Sequence, residues 1–155
     1  MTTRVLSLTS AEQTAACATA LGLRLQPGDV VLLSGPVGAG KTHFARALIG
    51  SLLTSREDVP SPTFTLVQTY ETPKGEIWHA DLYRLSDPSE IEELGLTDAF
   101  ETAICLIEWP DRLSDLRPPD ALDIELAPAD ADDARILTAR WDDPRWDTTL
   151  TDWIP

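Results

Sequence analysis

The spacing of apolar positions divides the chain into short alternating elements. Residues Arg4 to Leu8 alternate between apolar and polar, the period of a short strand. Thr9 or Ser10 then stands where a side-chain oxygen caps a helix, and the Ala-rich stretch to about Leu23 supplies that helix. Gln26-Pro27-Gly28-Asp29 is a turn, and the unbroken apolar run Val30-Val31-Leu32-Leu33-Ser34 reads as a strand buried on both faces. A glycine-rich loop follows, then a helix from about Lys41 to Leu53. Thr65 to Tyr70 and Glu76 to Asp81 read as two strands joined by the hairpin turn Thr72-Pro73-Lys74-Gly75. Asp87-Pro88-Ser89 opens a short helix with Pro88 at its first position. Ala103 to Ile107 is a second wholly apolar strand, and Pro110 to Leu116 a short helix closed by Pro118-Pro119. Leu122 to Leu126 alternates cleanly, and Arg135 to Trp141 resembles a final strand.

Strands alternating with helices predict an α/β fold with a mainly parallel central sheet and one antiparallel hairpin. There is no internal repeat and no linker, so residues 1–141 are expected to form a single domain. Residues 142–155 form an acidic tail with interleaved Trp, which is either disordered or docked on that domain.

Composition narrows the function classes. A chain of 155 residues buries roughly 68–70% of its unfolded surface, so it needs no disulfide or metal staple. The formal net charge is −14, which argues against direct charge-driven binding of nucleic acid or of an anionic membrane. A phosphate remains open to it, because backbone N–H groups and one Lys suffice to hold one. Cys17 and Cys105 each sit among apolar residues and read as buried reduced thiols. The opening residues have no basic stretch followed by an apolar core, and no apolar run reaches the ~20 residues of a membrane span. A cytoplasmic location is the expectation.

The strongest chemical signal is Gly35-Pro36-Val37-Gly38-Ala39-Gly40-Lys41-Thr42, which fits G-x-x-x-x-G-K-[ST] at every position. A buried strand precedes it and a helix follows, as the motif requires. Its glycines allow successive N–H groups to turn toward a phosphate, and the helix N-terminus adds partial positive charge. Lys41 is placed to reach the β- and γ-phosphates, and the Thr42 hydroxyl to ligate Mg²⁺. The loop makes the predicted fold a P-loop NTPase-like three-layer sandwich. A metal-side acid is then needed at the carboxyl end of another strand. Glu108 ends the apolar run Ile104-Cys105-Leu106-Ile107, and Asp81 ends Ile77-Trp78-His79-Ala80. Glu108 is the stronger candidate, because its strand is wholly apolar; in a chain with 26 acids, either could be an ordinary strand-end carboxylate.

Four further segments follow the loop in a recognisable order: Ser61-Pro62-Thr63-Phe64-Thr65, His79-Ala80-Asp81-Leu82-Tyr83-Arg84-Leu85, Glu93-Leu94-Gly95-Leu96 and Ile107-Glu108-Trp109. Over roughly Val5 to Ala139 the chain resembles the TsaE family, bacterial ATPase components of tRNA threonylcarbamoyladenosine synthesis. The resemblance implies an ATPase acting with the subunits TsaB and TsaD, with TsaD transferring the threonylcarbamoyl group to the tRNA adenosine and tRNA met only through those partners. It implies that Gly38, Ala39, Gly40, Lys41, Thr42 and His43 hold the phosphates, and that Thr42 and Glu108 hold Mg²⁺. Ser61 and Thr63 would act as a switch near the γ-phosphate, Asp81 would assist at the metal, and Trp109, Asp111 and Arg135 would lie by the ATP. Two positions depart from the family pattern: Pro36 replaces an acid and His43 replaces a Thr. The His43 ring reads as a helix-surface side chain, and His79 as a packed structural histidine. Arg84 is balanced between a solvated side chain and an anion or partner contact.

Two other classes compete. A P-loop small-molecule kinase is the runner-up, although no second basic cluster resembles a phosphate-clamping lid. A nucleotide-gated binding module with negligible hydrolysis is the third. A GTPase is disfavoured, because the guanine-reading N-K-x-D element cannot occur in a chain without Asn.

Overall fold

The two wholly apolar runs lie side by side at the centre of one seven-stranded sheet. In chain order the elements are β1 (Thr2–Leu8), α1 (Ala11–Gly22), β2 (Val30–Ser34), α2 (Lys41–Leu52), β3 (Val67–Thr72), β4 (Gly75–Asp81), α3 (Ser89–Glu93), α4 (Leu96–Thr102), β5 (Ile104–Glu108), a 3-10 segment (Pro110–Leu116), β6 (Leu122–Pro128), β7 (Arg135–Trp141) and α5 (Arg145–Thr149). The structure, a computed structural model, describes residues 1–55, 59–62 and 66–153. Thr65, expected to open a strand, lies outside the described residues, and that strand starts at Val67.

The strand order is β1-β7-β6-β2-β5-β4-β3. The pairings β6–β2, β2–β5 and β5–β4 are parallel and form the centre. The hairpin β3–β4 is antiparallel, as expected. A second antiparallel ladder, β6–β7–β1, builds the opposite edge and brings the first strand against the last.

The central strands are apolar at every position because both faces are covered. Val31, Leu33, Ile104, Leu106 and Ile124 point to the side of α1 and α2, where they meet Cys17, Leu21, Phe44, Leu48 and Ile49. Val30, Leu32, Cys105 and Ile107 point to the other side, against Ile91, Leu96, Ala99 and Leu113. The result is a three-layer sandwich. Ser10 caps α1, its hydroxyl accepting from the Gln13 N–H at 3.1 Å. The helix α4 was not signalled by apolar spacing. Gly95 precedes it with φ +83° as its left-handed N-terminal neighbour, so the glycine that reads as a break is the entry to a helix. Among the described residues no helix is long and apolar enough to cross a membrane.

Residues 142–153 dock. Trp146 and Trp153 are both fully buried in the α1/α2 layer. The Trp153 indole N–H donates to the Cys17 carbonyl at 3.0 Å, and the Trp146 indole N–H to the Asp120 carbonyl at 2.8 Å. Arg4 donates to the Leu150 carbonyl at 2.7 Å, and Arg145 pairs with the buried Asp29 carboxylate. Cys17 and Cys105 are free and buried, and desolvation pushes both thiols up to about 12. Replacing Trp153 with Ala removes a buried aromatic and its hydrogen bond from this layer. The expected cost is about 3–5 kcal/mol of unfolding free energy, read as a lower urea midpoint at unchanged slope.

Candidate functional site

The loop after β2 is shaped by two glycines held at positive φ, where a side chain is strained. Gly35 has φ +138°, and a Cβ on it would stand 2.2 Å from the Leu126 carbonyl oxygen of β6. The loop is therefore pressed directly onto the neighbouring strand. Gly40 has φ +100° and turns the chain into α2, whose first turn has no side-chain cap. The uncapped N-terminus leaves backbone N–H donors without intrahelical partners. Arg135, at the start of β7, secures the loop from behind: its Nε donates to the Ala39 carbonyl at 2.8 Å and its Nη2 to the Gly38 carbonyl at 3.3 Å.

Lys41 folds back over the same loop. Its Nζ donates to the carbonyls of Gly35 at 2.6 Å and Pro36 at 3.1 Å, and lies 4.1 Å from the Trp109 ring centroid. Its burial lowers the ammonium pKa, and the nearby Glu108 and Asp81 carboxylates pull it back up. Trp109 reaches this place through a left-handed backbone, φ +58°, just past the end of β5. Such a conformation in a bulky residue costs on the order of 1–3 kcal/mol and is sustained by its surroundings. Here the Trp109 N–H donates to the Leu33 carbonyl at 3.2 Å, and the ring packs on Tyr83 with centroids 4.9 Å apart.

The carboxylates come from the parallel pair β4–β5, where Asp81 stands opposite Glu108. Glu108 is only 2% exposed. The Thr42 hydroxyl donates to it, at 2.9 Å from Oε1 and 3.2 Å from Oε2, and His79 Nε2 lies 2.7 Å from Oε2. Asp81 is also buried and accepts from the Tyr83 N–H at 3.0 Å, while its own N–H donates to the Leu66 carbonyl at 2.9 Å. Gly38, Gly40, Lys41, Thr42, His43, Asp81, Glu108 and Trp109 line one open cavity of about 420 Å³. Thus most of the predicted residues converge.

Four expectations need separate placement. Ala39 is buried beneath the loop, its carbonyl held by Arg135. The His43 side chain is exposed, with Nε2 3.1 Å from the Ala11 carbonyl, so its ring reaches toward the start of α1. Asp111 is not among the residues lining the loop cavity; it lines a separate one with Leu85, Asp87 and Arg112. Thr63 lies outside the described residues. The His79–Glu108 bond was missed from the sequence. A histidine two places before the strand-end acid Asp81, and so on the same face of β4, was the available signal.

The donor set suits a hard cation. Thr42, Asp81 and Glu108 offer only oxygens, as Mg²⁺ prefers. Among the described residues no group of three His, Cys, Asp or Glu is arranged to hold a metal ion. Mg²⁺ bound by one or two carboxylates, with substrate phosphates and waters completing its shell, fits that arrangement.

Fold and site together define a protein of the P-loop NTPase type. The profile of the family described as "Threonylcarbamoyl adenosine biosynthesis protein TsaE" matches residues 8–137. The chain is 43% identical over 129 residues to the tRNA threonylcarbamoyladenosine biosynthesis protein TsaE of Rickettsia bellii, covering 83% of this chain and 89% of that one. It is 38% identical over 128 residues to the protein of the same description from Bacillus subtilis, covering 82% and 78%. The crystal structure of Bacillus subtilis YdiB superposes with a TM-score of 0.77 at 26% identity, covering 98% of this chain and 94% of that one. The chain belongs to the TsaE family.

Two glycines of this region separate steric from conformational effects. Gly35→Ala is expected to destabilise the fold by at least about 1–3 kcal/mol, through strain at positive φ and collision with β6. Gly50→Ala, in α2 where an added Cβ meets nothing within 4 Å, is expected to stabilise by about 0.5–1 kcal/mol. Urea melts of the two variants measure both.

Proposed function

We propose that this protein binds ATP with Mg²⁺ at the loop after β2, hydrolyses it, and serves tRNA threonylcarbamoyladenosine synthesis together with TsaB and TsaD. The observation that carries the reading is the convergence of Lys41, Thr42 and a buried Glu108 on one cavity beneath an uncapped helix N-terminus. The relatives' shared description supplies the pathway.

The chemistry follows from the residues present. Loop and α2 N–H groups hold the phosphate oxygens, and Lys41 exchanges the Gly35 and Pro36 carbonyls for phosphate. The Thr42 hydroxyl and Glu108 carboxylate hold the ion, with Asp81 beside them. When bound, Mg²⁺ neutralises charge on the phosphates. Trp109 lies over the Lys41 ammonium and is itself packed against Tyr83, so the aromatic pair forms one wall of the cavity. Glu108 rather than Asp81 takes the metal side in this reading, because only Glu108 is bonded to Thr42. Both acids are engaged by hydrogen bonds, which supports an expectation of slow hydrolysis by the protein alone. With net charge −14, recognition of tRNA is delegated to the partner subunits.

Titration calorimetry tests the binding step: Lys41→Ala should lose ATP affinity while the domain stays folded, and unchanged affinity would sink the assignment. Thr42→Ala and Glu108→Ala should bind ATP yet hydrolyse it about 10²–10³ times more slowly with Mg²⁺. Fluorescence titration against TsaB–TsaD should show tighter association with ATP than with ADP, and no appreciable affinity for free tRNA at physiological salt. Equal partner affinity with either nucleotide, or tight binding of free tRNA, would contradict that role.

A further inference from the structure

His79 occupies a position that an apolar residue would fill by default. It alternates along β4 with Ile77 and Asp81, and stands opposite Leu106 of β5 in the register. Ile77 and Leu106 belong to the α1/α2 layer of the core. His79 is itself 0% exposed. An imidazole there is costly unless hydrogen-bonded, and the bond it makes is to Glu108 Oε2 at 2.7 Å. A carboxylate oxygen only accepts, so Nε2 carries the proton and donates. Nδ1 has no partner among the described residues, so this single bond is the polar contact that accounts for a histidine at this place.

The same carboxylate is held from two directions. Thr42 reaches it from the first turn of α2, and His79 from one strand away beneath it. Lys41 lies nearby and attracts the same charge. With the Thr42 hydroxyl as its sole anchor, Glu108 would be free to swing toward the ammonium. The bond from His79 fixes Oε2 on the β4 side. We propose that His79 is a positioning residue: its Nε2–H orients the Glu108 carboxylate for the metal-side role, and it does not itself touch nucleotide. The inference rests on the reading of Glu108 given above. Hydrogen-bond partners of this kind, one step behind a metal ligand, are typically worth 10–100-fold in metal affinity.

The geometry makes a specific demand on substitutions. A glutamine amide nitrogen superposes on histidine Nε2, whereas an asparagine amide nitrogen superposes on Nδ1. His79→Gln should therefore retain the bond to Glu108, and His79→Asn and His79→Leu should lose it. The measurement is binding of Mn²⁺, as a paramagnetic stand-in for Mg²⁺, to the ATP complex by electron paramagnetic resonance. The Mg²⁺ concentration at half-maximal hydrolysis and the melting temperature are recorded alongside. The expected result is a 10–100-fold weaker metal affinity for His79→Leu and His79→Asn, with His79→Gln within a few-fold of wild type. ATP affinity without metal should be unchanged in all three. His79→Leu, which takes one donor from the buried Glu108 carboxylate, should melt below His79→Gln, and metal affinity is read at a temperature where every variant is folded. Wild-type metal affinity in folded His79→Leu overturns the proposal, as does equal loss in His79→Gln and His79→Asn. Glu108→Gln separates the two levels of argument: if it leaves metal affinity unchanged, the reading of Glu108 fails first. If it abolishes affinity while His79→Leu does not, only the role of His79 falls.

Discussion

A carboxylate taken out of water must be hydrogen-bonded or it destabilises the fold, and Glu108 imposes that condition on everything around it. At 2% exposure it draws a hydroxyl from the first turn of α2 and an imidazole from β4. Those contacts fix how far α2 sits from the sheet, which residue of β4 must be polar, and where the loop before α2 ends. Lys41 is subject to the same condition with the opposite sign. Buried beside two carboxylates, it satisfies its ammonium on the carbonyls of its own loop and on the face of Trp109. The cavity is thus bounded by groups whose charges are already compensated, and a ligand entering it replaces partners rather than filling a vacuum.

The loop is held by its surroundings as much as by its own glycines. Leu126 of β6 leaves no room for a side chain at Gly35, and Arg135 of β7 binds the carbonyls of Gly38 and Ala39. A trans peptide points its C=O and the next N–H in opposite directions, so binding the Ala39 carbonyl from one side turns the Gly40 N–H to the other. The antiparallel edge β6–β7–β1 therefore presents loop donors as well as extending the sheet. The segment that enters β3 is tied in from the far side, where the Leu66 carbonyl accepts from the Asp81 N–H.

The centre of the fold was legible because its signals are local and strong. An apolar run bounded by a turn and a glycine loop gives β2 and the start of α2 to the residue, and Arg135–Trp141 was placed without error. The helix α4 was not legible, since Gly95 stands before it and its seven residues give too short a period to detect. The β1–β7 half of the second antiparallel ladder was not legible either, because those strands lie far apart in the chain and nothing local pairs them. In the site, the motif residues announce themselves by spacing. The partnership of His79 with Glu108 spans 29 residues and two strands, and a histidine in an apolar setting reads as packing until the register is known. Asp111, which the family resemblance puts by the ATP, lines a separate cavity beyond the left-handed turn at Trp109.

The clasp between the first and last strands also bears on how the molecule is made. Arg4 reaches the Leu150 carbonyl across 146 residues, Trp153 reaches the Cys17 carbonyl across 136, and β1 pairs along its whole length with β7. A nascent chain that has exposed β1, α1 and the phosphate loop still has no β7 to cover the edge and no Trp153 to seal the space beneath α1. Contacts of such long sequence separation slow folding and leave apolar surface open meanwhile. The α1/α2 layer that backs the loop therefore closes only once Trp153 has docked beneath α1, so the segment that carries the motif is not completed by its own sequence neighbours.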